Sequence, residues 1–329
     1  MPKFSLSEAS NLAKEKLQKS GCSDENCIGI TDGILDAELS GIKSHGFHYL
    51  PIYCNHLKIG KIKGLAKISA EKISESALKV DADNGFAHTA INIGFRSLFD
   101  MCANSGIASM SIFNSYNCGV LGFHTKRIAE KGFVGIGFTN APASIAPIGG
   151  KKAVVGTNPF SIAVPLDGEA AIIIDQSASV VAKSEISVRA KSGELIPDGW
   201  AFDAEGNVTT NAQEALKGTM APSGGYKGFG TGLLVEIFTA CIAGGNLGTQ
   251  ASSFAGEDGG PPGTGQFFIA INPEKFNSNY STSMKTLIES IVEQEGARLP
   301  GSKRQVTFQK NKDQDIEIND QLLERINQI

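Results

Sequence analysis

The sequence predicts an α+β fold, with helices from both ends of the chain gathered beside a central core that mixes strands and helices. Three observations carry this. Apolar residues recur at helical spacing near both termini, and β-rich runs crowd the middle. Strict βαβ alternation is absent, so a doubly wound sheet is not expected.

Residues 5–20 read as a helix. Ser5 and Glu8 form a capping box, Leu6, Ala9, Ala13 and Leu17 share one face, and Gly21 stops it. A second helix over about 25–43, apolar at Ile30, Ile34, Ala37 and Ile42, delivers Ser44 and His45 at its C-terminal end, and a short third covers 50–57. Strands with a turn follow over 66–80, a helix over 87–104, a strand over 107–113, a helix over 120–131 and a strand over 133–138. Further strands are expected at 160–165, 170–175 and 266–271, and helices at 232–243, 283–295 and 320–329. The division expected is a helical sub-domain over 1–65, with 283–329 packing on it, and a core over 66–282.

With 329 residues, 41% of them hydrophobic, the chain can build its core without a metal or disulfide staple. A net charge of -4 and no long basic run argue against nucleic acid or an anionic membrane as partner. No apolar run is long enough to span a bilayer, and the first five residues lack a signal core. The six cysteines are scattered, without zinc spacing, which reads as reduced thiols in a cytoplasmic protein and no metal.

The tripeptide Ser44-His45-Gly46 places the one side chain that exchanges protons near neutral pH between a hydroxyl and a flexible backbone. Taken alone, it reads first as a helix C-terminal cap followed by a glycine stop. No G-x-G-x-x-G follows a strand; Gly228-Phe229-Gly230-Thr231-Gly232 lacks the spacing. Polar loops do stand at strand ends: 139–140, 147–150, 156–159 and 175–179. Each is ordinary turn chemistry alone; several in one core suggest a ligand site.

Read in order, the chain carries S-H-G (44–46), V-D-A-D-N-G (80–85), N-S-Y-N-C-G (114–119), T-N-A-P, A-P-I-G-G and G-T-N-P-F. D-Q-S-A-S, I-P-D-G-W, G-G-Y-K-G, G-P-P-G-T-G-Q and R-L-P-G follow. This series resembles the malate/L-lactate dehydrogenase family of NAD(P)-dependent oxidoreductases. The resemblance implies a non-Rossmann nicotinamide-binding fold with a mixed, largely antiparallel sheet, usually a homodimer, that interconverts 2-oxo or cyclic 2-imino acids with their reduced forms. It implies His45 as proton donor, assisted by Ser44, and Thr157 as a substrate contact. Asn117, Cys118, Gly119, Val120, Leu121, Asp175, Gln176, Ser177, Tyr226, Lys227, Arg298, Lys303 and Arg304 match cofactor-contacting segments. The cations at 298, 303 and 304 suit an extra phosphate, favouring NADP(H) over NAD(H), although on charge alone they read equally as a solvated turn.

Three positions depart from the family's pattern. Tyr49 stands where an arginine commonly meets the substrate carboxylate, with His48 beside it as a possible substitute donor. Asn117 replaces a histidine. Glu185 replaces the lysine of the malate-type branch and resembles the acidic position of the Δ1-piperideine-2-carboxylate/Δ1-pyrroline-2-carboxylate reductases. A carboxylate there is expected to raise the His45 pKa and to tolerate a cationic iminium; the same residue also reads as an exposed helix-start glutamate. The expectation is thus an NAD(P)H-dependent reductase of a small 2-imino or 2-oxo acid, against a 2-hydroxy acid dehydrogenase of malate, lactate or sulfolactate type, or a non-catalytic nucleotide-binding relative.

Overall fold

A computed structural model describes all 329 residues. The chain opens with β1 (Lys3–Phe4) and α1 (Leu6–Lys19), whose capping box forms as expected: Ser5 Oγ accepts the Glu8 N–H and Glu8 Oε2 accepts the Ser5 N–H at 2.8 Å. Next, α2 (Asp24–Leu39), capped by Ser23, stops four residues short of the sequence pattern. Gly41 adopts φ +75° and turns the chain, so Ser44 and His45 lie on a separate 3-10 turn, Lys43–His45, rather than on the helix end. A second such turn, Phe47–Tyr49, leads into α3 (Leu50–Lys58).

The core elements then run β2 (Ser69–Ser74), β3 (Ala77–Asp81), α4 (Ala87–Ser105), β4 (Ile107–Ser115), α5 (Leu121–Ala129), β5 (Val134–Thr139), β6 (Phe160–Leu166) and β7 (Glu169–Gln176). After these come α6 (Lys183–Ser192), β8 (Ala201–Phe202), β9 (Val208–Thr209), α7 (Ala212–Lys217), β10 (Thr219–Met220) and α8 (Tyr226–Glu236), which continues as a π-helical segment, Ile237–Ile242. The chain closes with β11 (Thr264–Ile271), α9 (Tyr280–Val292), α10 (Ser302–Asn311), β12 (Ile316–Glu317) and α11 (Asp320–Asn327).

Seven strands make one sheet in the order β2-β3-β4-β11-β5-β6-β7. Only β3 and β4 pair parallel; every other pairing is antiparallel. The mixed, largely antiparallel α+β fold is therefore as the sequence predicts. The late strand β11 inserts between β4 and β5, which places the loop after β5 beside the start of β11: Asn140 Oδ1 accepts the Gly265 N–H at 3.0 Å. Ala90, Ile91, Phe95 and Leu98 of α4 pack with Met110, Ile112 and Phe268 of the sheet.

The two chain ends meet. β12 pairs with β1, and Leu322 and Ile326 of α11 enter the same core as Ala9, Leu17, Ile34, Phe47 and Tyr53. A third cluster joins Ile145, Val155 and Ala178 to α6, α7 and the small sheet β10-β8-β9. Three helices escape the sequence pattern. α6 buries only Ile186 and Ala190, α7 only Ala212 and Ala215, and α10 buries nothing, so none writes a clear apolar stripe.

Candidate active site

The turn bearing His45 is held from below by a residue that sequence reasoning missed. Glu38, near the end of α2, accepts the Phe47 N–H at 2.7 Å. Its carboxylate fills the space where a Cβ on residue 46 would sit, so any larger residue there would displace it. Burial raises the Glu38 pKa, and the Phe47 N–H and Lys43 work against that. The turn presents His45, half-buried, with Ser44 Oγ 3.0 Å from Nδ1. That contact occupies Nδ1 and leaves Nε2 as the nitrogen able to hand over a proton.

An aromatic series runs inward from this ring. Tyr49 lies parallel to it at 6.4 Å between centroids, and Tyr53 lies 4.8 Å beyond. The Tyr49 hydroxyl donates to Phe254 O at 3.2 Å, and that of Tyr53 donates to Asn117 Oδ1 at 3.0 Å. Asn117 Oδ1 also accepts the Gly119 N–H at 3.1 Å. Asn117 thus anchors its own loop. Phe254 belongs to a loop fastened by the buried Lys61, whose ammonium donates to three carbonyls, Ser253, Gly256 and Asp258, at 2.8–2.9 Å.

The charges acting on His45 come from Asp175, at the end of β7, and Arg304, in the first turn of α10. These two form an ion pair at 2.5 Å. Asp175 also lies over Gly122, where a Cβ would come within 2.9 Å of its Oδ2. Sequence reasoning assigned both charges to the cofactor; the structure couples them to each other and to His45. The net effect on the imidazole is opposite to the sequence expectation. Burial depresses its pKa most, Asp175 opposes, and Arg304 depresses it further.

Glu185 has other company. It stands exposed in the first turn of α6, and Arg189 Nε donates to it at 3.3 Å. Within this chain the carboxylate whose charge acts on His45 is Asp175. His48 is exposed beside Lys43, and burial and nearby cations lower its pKa. Arg298 and Lys303 are exposed on the segment that crosses β7, where Pro300 O accepts the Ile173 N–H at 3.1 Å.

Thr157 meets the end of β7 through its carbonyl, which accepts the Ala178 N–H at 2.8 Å, next to Gln176 and Ser177. Ala178 O in turn accepts the Ser223 N–H at 2.7 Å, which brings in the Gly224-Gly225 turn and Tyr226-Lys227 at the start of α8. Buried Asn158, at φ +34°, locks this region. Its Nδ2 donates to Gly232 O at 2.9 Å and to the buried Glu236 at 2.7 Å, and its Oδ1 accepts the Ala141 N–H at 3.1 Å. Glu236 also accepts the Gly248 N–H at 2.5 Å. Gly228 to Gly232, the one glycine run weighed as a dinucleotide loop, lies inside α8.

The backbone offers an anion cradle. α5 and α8 begin at Leu121 and Tyr226 without a side-chain cap, which leaves first-turn N–H groups available to an anion, whereas the Ser302 N–H at the start of α10 already donates to Leu299 O at 3.2 Å. Gly224 and Gly225 adopt φ +68° and +65°, and a Cβ on either would meet nothing. Amides, Arg304 and the polar Asn117 loop are a donor set that fits a nicotinamide dinucleotide.

Under the Asn117–Leu121 loop lie two buried imidazoles that the sequence did not flag. His124 Nε2 donates to Cys118 O at 2.8 Å, and His88 packs edge-on to His124 at 5.3 Å. Both Nδ1 atoms lack a partner. Burial lowers both pKa values, that of His88 to about 3, so both rings are neutral.

A site combining an imidazole, an ion pair on it and uncapped helix starts suits a proton-donating oxidoreductase that binds a dinucleotide. Comparison with known proteins gives the family. The malate/L-lactate dehydrogenase family model matches residues 4–327. The chain is 37% identical to the (2R)-3-sulfolactate dehydrogenase (NADP(+)) of Chromohalobacter salexigens, over 92% of this chain and 90% of that one. It is 33% identical to Delta(1)-pyrroline-2-carboxylate reductase 2 of Burkholderia multivorans, over 92% and 89%. The crystal structure of delta1-piperideine-2-carboxylate reductase from Pseudomonas syringae superposes with a TM-score of 0.92 at 28% identity, covering 100% of this chain and 99% of that one. The chain belongs to the malate/L-lactate dehydrogenase family and is an NAD(P)-dependent oxidoreductase.

Proposed function

We propose that this protein is an NAD(P)H-dependent reductase of a small 2-imino or 2-oxo monocarboxylate, most like the cyclic imino-acid reductases, with His45 as proton donor. The observation that carries this is the charge balance at His45. One carboxylate, Asp175, and one guanidinium, Arg304, pair with each other, and their charges act on a ring whose pKa burial lowers. Such a site suits a substrate of low net charge. A protonated cyclic imine with its carboxylate has none, whereas malate and sulfolactate bring two anionic groups and need more cations. Tyr49, with its hydroxyl already given to Phe254, adds no charge.

Bound reduced nicotinamide would supply the hydride. His45 Nε2 would give a proton to the oxygen or nitrogen that gains charge, with Ser44 holding Nδ1 and Asp175 favouring the imidazolium. Thr157, Tyr49 and His48 would border the acid. The Asn117–Leu121, Asp175–Ser177 and Tyr226-Lys227 segments would hold the dinucleotide. Arg298 and Lys303 would take an extra phosphate, which favours NADP(H) and accords with the NADP(+) in the sulfolactate relative's name. In this reading Glu185 serves α6, where it complements the helix start. We further infer a homodimer working in the cytoplasm; six unpaired cysteines accord with a reducing compartment, and no helix is long and apolar enough to cross a membrane.

The test is NADPH oxidation with Δ1-piperideine-2-carboxylate and Δ1-pyrroline-2-carboxylate against pyruvate, oxaloacetate and sulfopyruvate. The reading expects an imine or a monocarboxylate to lead in kcat/KM by at least about tenfold, the size of one unmatched charge. Sulfopyruvate leading, with no imine turned over, favours instead the hydroxy-acid dehydrogenase, the reading motivated by the 37% identity to a sulfolactate enzyme.

A further inference from the structure

The turn that carries His45 has little packing of its own. Lys43 and Ser44 are exposed, His45 is half-buried, and the turn Lys43–His45 buries none of its residues. Its backbone bonds are local: the His45 N–H donates to Ile42 O at 2.9 Å and the Gly46 N–H to Lys43 O at 3.2 Å. The next turn, Phe47–Tyr49, closes the same way, through the Tyr49 N–H on Gly46 O at 2.9 Å. Bonds of this kind shape a turn without fixing where it stands. At the junction of the two turns the pattern breaks, and the Phe47 N–H donates to Glu38 Oε1 on α2 at 2.7 Å. Phe47 itself is fully buried, so this bond ties the turn to the core. The same contact accounts for the glycine beside the histidine. Gly46 has φ −90°, outside the left-handed region that favours glycine. A Cβ there would overlap Oε1, Cδ and Cγ of Glu38. The missing side chain is a socket for a carboxylate, next in the chain to His45. Burial opposes the charge on Glu38, while the Phe47 N–H and Lys43 favour it. A hydrogen bond to an ionised carboxylate is stronger than one between neutral groups.

We propose that Glu38 is a positioning residue for the reaction: its bond to the Phe47 N–H, seated through Gly46, fixes where the His45 ring stands against the reacting carbon. The proposal rests on the reading of His45 as proton donor and deepens it. In this role Glu38 touches neither substrate nor cofactor and acts only through the turn. A displacement of about 1 Å at a reacting group can lower a rate by about 10²-fold, so one bond behind the donor is enough to govern turnover.

A double-mutant cycle on kcat, with the best substrate and saturating NADPH, tests this. Glu38→Ala is expected to lower kcat by about 10- to 100-fold. Its NADPH affinity should stay within about threefold of wild type, since the turn and not the dinucleotide site is disturbed. Glu38→Gln keeps an oxygen for the Phe47 N–H and is expected to recover all but about fivefold of the rate. Gly46→Ala disturbs the bond from the other side with the carboxylate intact, and is expected to slow turnover as Glu38→Ala does. In a His45→Ala background the same Glu38→Ala change should alter kcat by less than about twofold, because the group it positions is gone. If Glu38→Ala slows the His45→Ala protein by the factor it slows wild type, Glu38 does not act through His45 and the proposal is overturned. A Glu38→Ala protein with wild-type kcat, or a Gln variant as slow as the Ala variant, overturns it as well. Should circular dichroism show that Glu38→Ala does not fold, Gly46→Ala takes its place in the cycle with the same outcomes. A His45→Ala protein that keeps the wild-type rate overturns the proton-donor reading itself. In every other outcome that reading stands while the role of Glu38 is decided.

Discussion

At His45 the decisive quantity is proton affinity. Burial lowers its pKa below 6.5, and Asp175 and Arg304 pull in opposite directions. Reduction needs the imidazolium, so kcat/KM for reduction should fall as pH rises, with a midpoint below 6.5 in the free enzyme. Asp175→Asn removes the charge that raises the pKa and should move the midpoint lower still. Arg304→Gln removes a charge that lowers it and should move the midpoint up. A pH–rate series on the three proteins checks both signs. The sequence marked His45, Ser44 and Asp175, because each sits in a short motif. It could not show that the charge of Asp175, 130 residues away, would act on the ring. Nor could it show Glu38, whose partner is a backbone N–H on the far side of a turn.

Among the elements, the loop network around Asn158 turns separate segments into one wall. Asn158→Leu leaves the buried Glu236 with one partner fewer and frees the Ala141 N–H. The expected cost is about 2–3 kcal/mol, the scale of a hydrogen bond to a carboxyl group in a buried setting. Urea unfolding should show it as a lower midpoint at unchanged slope. In the sequence Asn158 looked like turn chemistry, and Glu236 drew no reading. Only the fold joins them. Elements with strong local signals were legible: α1 from its capping box, and the strands of the seven-stranded sheet from their apolar runs, whereas the two-residue strands β1, β8, β9, β10 and β12 were not. α6 and α10 were not, because helices lying on the surface with few or no buried side chains leave no periodic trace. α2 was read four residues too long, since Ile42 continues the apolar spacing past Gly41.

On the scale of the whole molecule, the buried imidazoles set an acid limit. The unfolded chain protonates His88 near 6.5, whereas the folded chain holds it neutral down to about 3. Between those values the unfolded state binds the extra proton, so stability falls as pH falls, by about 1.4 kcal/mol per pH unit for each such ring. His124 acts in the same direction. Thermal melts from pH 7 to 4 should show a steep decline, and His88→Asn should flatten it. A wild-type melting temperature that is level down to pH 4 would contradict the neutral pair.

The central claim is that His45 donates the proton in a pocket shared with the nicotinamide, and His45→Ala tests it most directly. Turnover of the best substrate and NADPH affinity should be measured on the same preparation. The account predicts a loss of about 10²- to 10⁴-fold in kcat, the usual contribution of a general acid, with NADPH affinity within about threefold of wild type. An alanine variant that keeps its rate would contradict it.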